Sequence, residues 1–180
     1  MEKVEVEITT KELLERYNER FADKKDITLK DLSEMKESGI SAEMFLEFLR
    51  EKYDYLFHGS RNEISFADGV KPSKDGVIFS SDNPSVAILK AIYRNNAKNL
   101  GYPLNLKEDK SNMVLVIDEP QEDTIGEKGY VYVISDKTGF KRDPNSNWQY
   151  LKENTAEENT PFVKRVEVER ADFKYPVQVN

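Results

Sequence analysis

The chain has no cysteine and only one histidine and one tryptophan among its 180 residues. The lack of cysteine excludes disulfide bonds, thiol catalysis and metal sites with thiolate ligands. A zinc site built from imidazole nitrogens would need several histidines. The chain also lacks the Asp-x-Asp-x-Asp-Gly pattern of a loop that binds a hard cation. We therefore expect no metal ion in this protein.

Long apolar runs are also missing. The first residues, Met1-Glu-Lys-Val-Glu-Val, are charged, whereas a secretory signal peptide has an apolar stretch near its start. No segment approaches the length that is needed to cross a bilayer. We expect a soluble, cytoplasmic protein with no membrane partner.

The chain is acidic, with 27 basic and 34 acidic residues and a formal net charge of −7. An acidic surface repels the phosphates of nucleic acids, so we do not expect RNA or DNA as a partner. Hydrophobic residues make up 38% of the chain and include nine tyrosines and nine phenylalanines. This supply of large side chains is enough for a folded core, and the length fits a single domain.

The N-terminal part of the chain carries the start signals of three helices. Thr9 with Glu12 and Thr28 with Asp31 form capping-box patterns, and apolar residues at helical spacing follow each pair. Ser41 precedes a third stretch of the same kind. These patterns predict a mainly helical N-terminal segment.

Strand patterns dominate after residue 53. Short apolar or alternating segments lie at 55–57, 77–79, 113–117, 130–134, 148–151 and 163–168. A further alternation over residues 3–9 indicates a strand ahead of the helices. Asp82 or Asn83 caps one internal helix, with Pro84 in its first turn, and this helix extends to Tyr93. Residues 95–111 are polar and predict a long surface loop.

One internal helix among many strands argues against a regular βαβ series. We predict an α+β fold in which a helical segment over residues 1–52 is followed by a mostly antiparallel sheet over residues 53–180. The two parts are compatible with a single compact unit.

His58, Gly59 and Ser60 form the most distinctive chemical feature of the sequence. His58 is the only histidine and follows a predicted buried strand. A side chain at such a place can point into a cleft, and a glycine lets a ligand approach the backbone closely. In the alternative interpretation the histidine is hydrogen-bonded to a nearby carbonyl and Gly59 only turns the chain. The local pattern alone favours this alternative.

The wider spacing resembles the ADP-ribosyltransferase superfamily, in particular its diphtheria-toxin and poly(ADP-ribose) polymerase branch. In that branch a strand ends in His-Gly-Ser or His-Gly-Thr, a strand with a Gly-x-x-Phe-Ala/Ser pattern follows, and a later helix or strand carries a tyrosine. The corresponding features here are Tyr55-Leu-Phe-His-Gly-Ser60, Gly76-Val-Ile-Phe-Ser-Ser81 and Tyr93. The resemblance covers about residues 53–178.

The resemblance implies roles for four residues as the site of an NAD molecule. His58 would hold a ribose hydroxyl, and the backbone of Gly59 would bind the nicotinamide carboxamide. Ser60 would add a polar contact, and Tyr93 would pack on the nicotinamide ring. For Tyr93, packing in the core is the alternative. The ligand that the resemblance implies is therefore NAD, with a protein or a nucleic acid as acceptor if ADP-ribose is transferred.

Catalysis by this family needs a carboxylate, because cleavage of the bond between nicotinamide and ribose builds positive charge on the sugar. In active relatives this group is a glutamate at the start of a late strand. The corresponding position here is Gln149, in Trp148-Gln-Tyr150, and Glu153 is near in sequence. The resemblance therefore implies nucleotide binding and leaves transferase activity open.

Two other functions fit the sequence. In the first, the protein is a non-catalytic interaction module whose N-terminal helices bind a partner. In the second, the same fold acts as an RNA 2′-phosphotransferase, which requires basic residues around the cleft. Arg61 and Arg94 are the nearby candidates for that role.

Overall fold

The computed structural model describes residues 8–153 and 159–180. Their helices are α1 (Thr10–Arg20), α2 (Leu29–Glu37), α3 (Ala42–Tyr53) and α4 (Pro84–Ile92). Their strands are β1 (Asp26–Ile27), β2 (Leu56–Ser60), β3 (Val77–Ser81), β4 (Asn99–Gly101), β5 (Leu115–Asp118), β6 (Lys128–Ile134), β7 (Lys141–Arg142), β8 (Gln149–Glu153), β9 (Lys164–Glu169) and β10 (Val177–Val179). The predicted strand over residues 3–9 lies outside the described residues, except for its last two positions. In the described part of the chain, no helix is long and apolar enough to span a membrane.

The predicted helix starts are confirmed. The side chain of Thr9 accepts a hydrogen bond from the backbone N–H of Glu12, and the Glu12 carboxylate accepts one from the backbone of Thr9. Thr28 and Asp31 repeat this reciprocal arrangement at α2, and Ser41 caps α3. Each cap satisfies backbone donors that the first helical turn leaves free, and is worth about 1 kcal/mol.

The strands form two sheets. The larger sheet has the order β1-β9-β6-β2-β3-β8-β7, and every neighbouring pair in it is antiparallel except β1 with β9. A smaller sheet has the order β10-β5-β4. The mixed α and β composition is thus as predicted, and the second sheet is an addition to it. Because β1 comes from the helical segment and pairs with β9, the two predicted parts of the chain share one sheet.

The larger sheet separates two apolar cores. Phe57 on β2 and Val131 on β6 belong to the core that includes α4 and the N-terminal helices. Their neighbours Leu56 and Tyr132 belong to a smaller core on the opposite face. This division follows from the alternation of side chains along a strand. It decides which side of the sheet each residue of the His-Gly-Ser stretch faces.

Three of the differences from the prediction concern the His-Gly-Ser stretch, Tyr93 and the segment between α4 and β5. Strand β2 continues through Ser60, so the His-Gly-Ser stretch lies inside the strand. Helix α4 ends at Ile92, and Tyr93 has extended backbone. The stretch over residues 95–111 contains β4 and the buried Leu106. The strands that were not predicted, β1, β4, β7 and β10, are two or three residues long, which is too short to give an alternating pattern.

Candidate functional site

His58 lies where β2 and β3 separate. The two strands pair only at Phe57, opposite Ser81, and beyond that point the His58 ring spans the gap. Its Nδ1 lies 2.7 Å from the carbonyl oxygen of Phe79. A carbonyl only accepts hydrogen bonds, so Nδ1 carries the proton and the neutral ring has its lone pair on Nε2. Burial lowers the pKa of His58, the Phe79 hydrogen bond raises it, and the charge of Lys90 lowers it, with a net decrease.

A hollow lies beside the half-buried imidazole. We call it the His58 cavity; it has a volume of about 310 Å³. Six of its eight lining residues have polar side chains; the lining consists of His58, Ser60, Asn62, Glu63, Ile64, Asp68, Gly69 and Lys71. The ring centroids of His58 and Tyr132 are 6.2 Å apart, and Tyr132 belongs to the smaller of the two apolar cores. His58 therefore makes the hydrogen bond to a carbonyl that the alternative interpretation requires, and it also lines a cavity.

Gly59 faces α4. A Cβ atom at this position would lie 1.9 Å from the carbonyl oxygen of Ala87 and 2.8 Å from the backbone nitrogen of Ala91. Gly129 on β6 shows the same relationship, with 1.8 Å to the carbonyl oxygen of Ala91. These glycines let the helix lie directly on the sheet. The sequence did not indicate this role, although Gly59 lies shortly after one predicted strand segment and Gly129 directly before another.

A second cavity lies at the C-terminal end of α4 and has a volume of about 350 Å³. We call it the α4 cavity. Its lining comes from the end of β2, the end of α4, β4 and the residues that follow each of them. It consists of Gly59, Ser60, Arg61, Asn62, Leu89, Lys90, Tyr93, Arg94, Asn95, Leu100 and Tyr102. Ser60 and Asn62 also line the His58 cavity. The two cavities are therefore neighbours at the end of β2.

Three cations line the α4 cavity, and the fold holds two of them in place. The guanidinium of Arg61 donates hydrogen bonds to the carbonyl oxygens of Asp123 at 2.8 Å and Ile92 at 3.4 Å. Arg94 forms an ion pair with the Asp123 carboxylate. The third cation is Lys90.

Lys90 has no counter-ion among the residues that the structure describes. Its ammonium lies 5.3 Å from the centroid of the Phe79 ring, a distance that allows a cation–π contact. Within residues 8–153 and 159–180, no carboxylate forms an ion pair with it, and burial alone acts on its pKa and lowers it. Removing a cation from water without a partner is unfavourable. An anion in the α4 cavity would provide the missing partner.

Two tyrosines line the α4 cavity. Tyr93 is only 6% exposed, and its ring packs edge-on against Phe173 with centroids 5.6 Å apart. Tyr102 packs against Trp148, with ring centroids 5.5 Å apart, and burial raises the pKa of its phenol to about 12. Tyr102 was not predicted as a site residue. Its only sequence signal is an aromatic residue between a glycine and a proline in a polar stretch.

Gln149 and Glu153 lie on β8, opposite Ser81 and Val77 of β3. The Gln149 side chain donates a hydrogen bond to the Asp143 carboxylate at 3.0 Å and so holds the turn before β8. Neither Gln149 nor Glu153 lines the α4 cavity or the His58 cavity.

The structure thus brings Gly59, Ser60 and Tyr93 to one cavity and places His58 in the neighbouring one. The roles that the family resemblance implies for these residues stay predictions. In the described residues, no group of three or more histidine, aspartate or glutamate side chains could hold a metal ion. No protein-family model, curated protein or solved structure matches the chain.

Proposed function

We propose that this protein binds a phosphate-bearing nucleotide of the NAD type in the α4 cavity and is related in function to the ADP-ribosyltransferases. The observation that carries the proposal is the position of Lys90, a half-buried cation with no counter-ion in the described structure, beside Arg61 and Arg94. Lysine and arginine are the side chains that bind phosphate groups best. The chain as a whole has a net charge of −7. The lining residues of the α4 cavity, in contrast, include three cations and no carboxylate, so this cavity is a locally basic place on an acidic protein.

The size of the site suggests how such a ligand is arranged. A volume of about 350 Å³ is near the lower end for small-molecule sites and suits half of a dinucleotide. In our proposal the phosphates contact Lys90, and the ligand continues past Ser60 and Asn62 into the His58 cavity. There the Nε2 lone pair of His58 accepts a hydrogen bond from a ribose hydroxyl. The aromatic ring of Tyr102 is available to pack against a base.

Transfer of ADP-ribose to a protein would also need a carboxylate beside the ribose. Among the residues that line the two cavities, the acidic ones are Glu63 and Asp68 in the His58 cavity. Glu63 forms an ion pair with Arg165 at 2.9 Å. If the protein is a transferase, we expect Glu63→Gln to stop nicotinamide release more completely than Gln149→Ala does, without preventing NAD binding.

Calorimetry and thermal unfolding with NAD test the binding proposal. A ligand at one hundred times its Kd stabilises the folded state by about 2.7 kcal/mol. We expect this stabilisation in the wild-type protein and in Lys98→Met, which removes an exposed lysine that is paired with Glu119. We expect its loss in Lys90→Met and in His58→Ala, provided that both variants unfold cooperatively without ligand. Absence of any effect of NAD on the wild-type protein at millimolar concentration would contradict the proposal.

The RNA 2′-phosphotransferase alternative gains support from Arg61 and Arg94, because both line the α4 cavity. An oligoribonucleotide with an internal 2′-phosphate separates the two functions. Tight binding of this oligonucleotide, with at least about tenfold weaker binding of the unphosphorylated control, would favour the phosphotransferase.

A further inference from the structure

Helix α4 is buried on all sides except at Lys90. Eight of its nine residues are buried, and Lys90 is the exception. Because the helix lies directly on the glycines of the sheet, its position is fixed by backbone contacts with Gly59 and Gly129. Lys90 therefore lines the α4 cavity from a rigid element.

The surroundings of Lys90 favour a reactive amine. Burial lowers the pKa of Lys90, so a larger share of the side chain is unprotonated near neutral pH than in water. The unprotonated amine is the nucleophile in imine formation. Arg61 and Arg94 also line the cavity and would hold a phosphate group of the same ligand.

Lys164 is an internal comparison. It is also half-buried, and burial lowers its pKa. Its Nζ, however, donates hydrogen bonds to the carbonyl oxygens of Phe21 at 2.6 Å, Ala22 at 3.1 Å and Lys24 at 2.9 Å. All three donors of that ammonium are engaged, whereas the described residues give Lys90 no hydrogen-bond acceptor. Both lysines are thus half-buried, but of the two only Lys90 has a nitrogen that is free to react with a ligand.

We propose that Lys90 is a covalent binding site for aldehydes that carry a phosphate group. Arg61 and Arg94 bind the phosphate, and the neutral amine of Lys90 forms an imine with the aldehyde carbon. Phosphorylated sugars in their open-chain form belong to this chemical class. The proposal goes beyond nucleotide binding and does not depend on NAD as a ligand.

The covalent step is balanced without any further reactant. The Nζ lone pair attacks the aldehyde carbon, the C=N bond forms, and the carbonyl oxygen leaves as water with the two protons of the neutral amine. The step is reversible by hydrolysis. Borohydride added from outside supplies a hydride to the imine carbon and converts the product to a stable secondary amine.

Pyridoxal 5′-phosphate is a suitable probe, because it combines an aldehyde with a phosphate and its adducts are readily mapped. The folded full-length protein is treated with equimolar probe, reduced with borohydride, digested and analysed by mass spectrometry. We expect Lys90 to be the main modified residue, and Lys164 and the exposed Lys98 to stay largely unmodified. Pyridoxal without the phosphate should modify Lys90 about tenfold less, since it lacks the charge-assisted hydrogen bonds to the arginines.

The Lys90→Arg variant keeps the positive charge and removes the nucleophile, so it should lose the main adduct. Equal modification of many lysines, or equal reaction of pyridoxal and its phosphate, would overturn the proposal. Both results are independent of NAD. A protein that binds NAD but leaves Lys90 unmodified would contradict the covalent site alone, and a protein modified at Lys90 that does not bind NAD would contradict the nucleotide site alone.

Discussion

The imidazole Nδ1 of His58 and the carbonyl oxygen of Phe79 lie 2.7 Å apart, across the gap between β2 and β3. The ring of the same phenylalanine lies 5.3 Å from the ammonium of Lys90. Phe79 therefore contacts both of the residues on which the proposed site depends. Its carbonyl fixes the tautomer of His58, and its ring is the cation–π partner of Lys90.

The first prediction concerns the protonation of His58. Since it is the only histidine, its ring nitrogens can be observed by NMR without assignment of other histidines. We expect a neutral Nδ1–H tautomer at neutral pH and a pKa below the ordinary value of 6.5, because burial outweighs the Phe79 hydrogen bond. A predominant Nε2–H tautomer, or a pKa at or above 6.5, would show that the ring does not lie as described.

The same lowered pKa predicts how stability depends on pH. Between the folded and unfolded pKa values of His58, the unfolded chain binds more protons, so acidification favours unfolding. The contribution of His58 is complete above its unfolded pKa and is lost as the pH falls through its folded pKa. Urea unfolding at a series of pH values should therefore show a smaller acid loss in His58→Gln than in the wild-type protein. If the free energy of unfolding fell equally with acidification in both proteins, the lowered pKa of His58 would be contradicted.

Gly59 gives a prediction about packing. The Cβ atom of Gly59→Ala would lie 1.9 Å from the carbonyl oxygen of Ala87, and neither backbone can yield without moving α4 or β2. We expect a loss of about 3 kcal/mol or more in the free energy of unfolding. In the matched variant Gly101→Ala the added atom meets nothing within 4 Å, and a change within about 0.5 kcal/mol is expected. If both variants unfold at the same urea concentration, the helix does not lie against Gly59.

Glu43 gives a prediction about charge. It forms an ion pair with Lys110, the two side chains being 15% and 16% exposed, and it accepts a hydrogen bond from the hydroxyl of Tyr175 at 2.6 Å. Glu43→Gln leaves the Lys110 ammonium without its carboxylate. We expect a loss of about 2 kcal/mol, below the range for fully buried pairs because some solvent reaches the site.

The matched control is Glu119→Gln in the pair with Lys98, where both side chains are 68% exposed. Exposed pairs contribute little, so the free energy of unfolding should change by about 0.5 kcal/mol or less. Chemical unfolding of the two variants under the same conditions decides the comparison. Equal losses would mean that the segment after β4 is not anchored to α3 through Glu43.

Local signals predicted most of the fold. The helix starts at Thr9, Thr28 and Ser41 depend on side chains within three residues of the backbone they cap, so the sequence carries the whole interaction. The alternation of β9, with Val166 and Val168 buried, is similarly local. Strands β1 and β10 exist only through parallel pairing with distant partners, and their two or three residues carry no periodic pattern.

The site was less predictable because its contacts are long-range. The sequence singled out the His-Gly-Ser stretch, but not that Gly59 would face α4 while His58 faced the opposite side of the sheet. That division depends on which neighbour covers each face of β2. Lys90 gave no signal because a lysine on a helix is usually solvated. It is half-buried here because the surrounding positions of α4 are covered on every side.

The most direct test of the account is to map NAD binding onto the backbone amides by NMR. We predict saturable shifts that include the amides of Ser60, Lys90 and Arg94, because these residues line the α4 cavity. The apolar groove between α1 and α3, lined in part by Leu14 and Phe48, is the internal reference and should be unaffected. Shifts confined to that groove, or no shifts at millimolar NAD, would contradict the assignment of the α4 cavity as a nucleotide site.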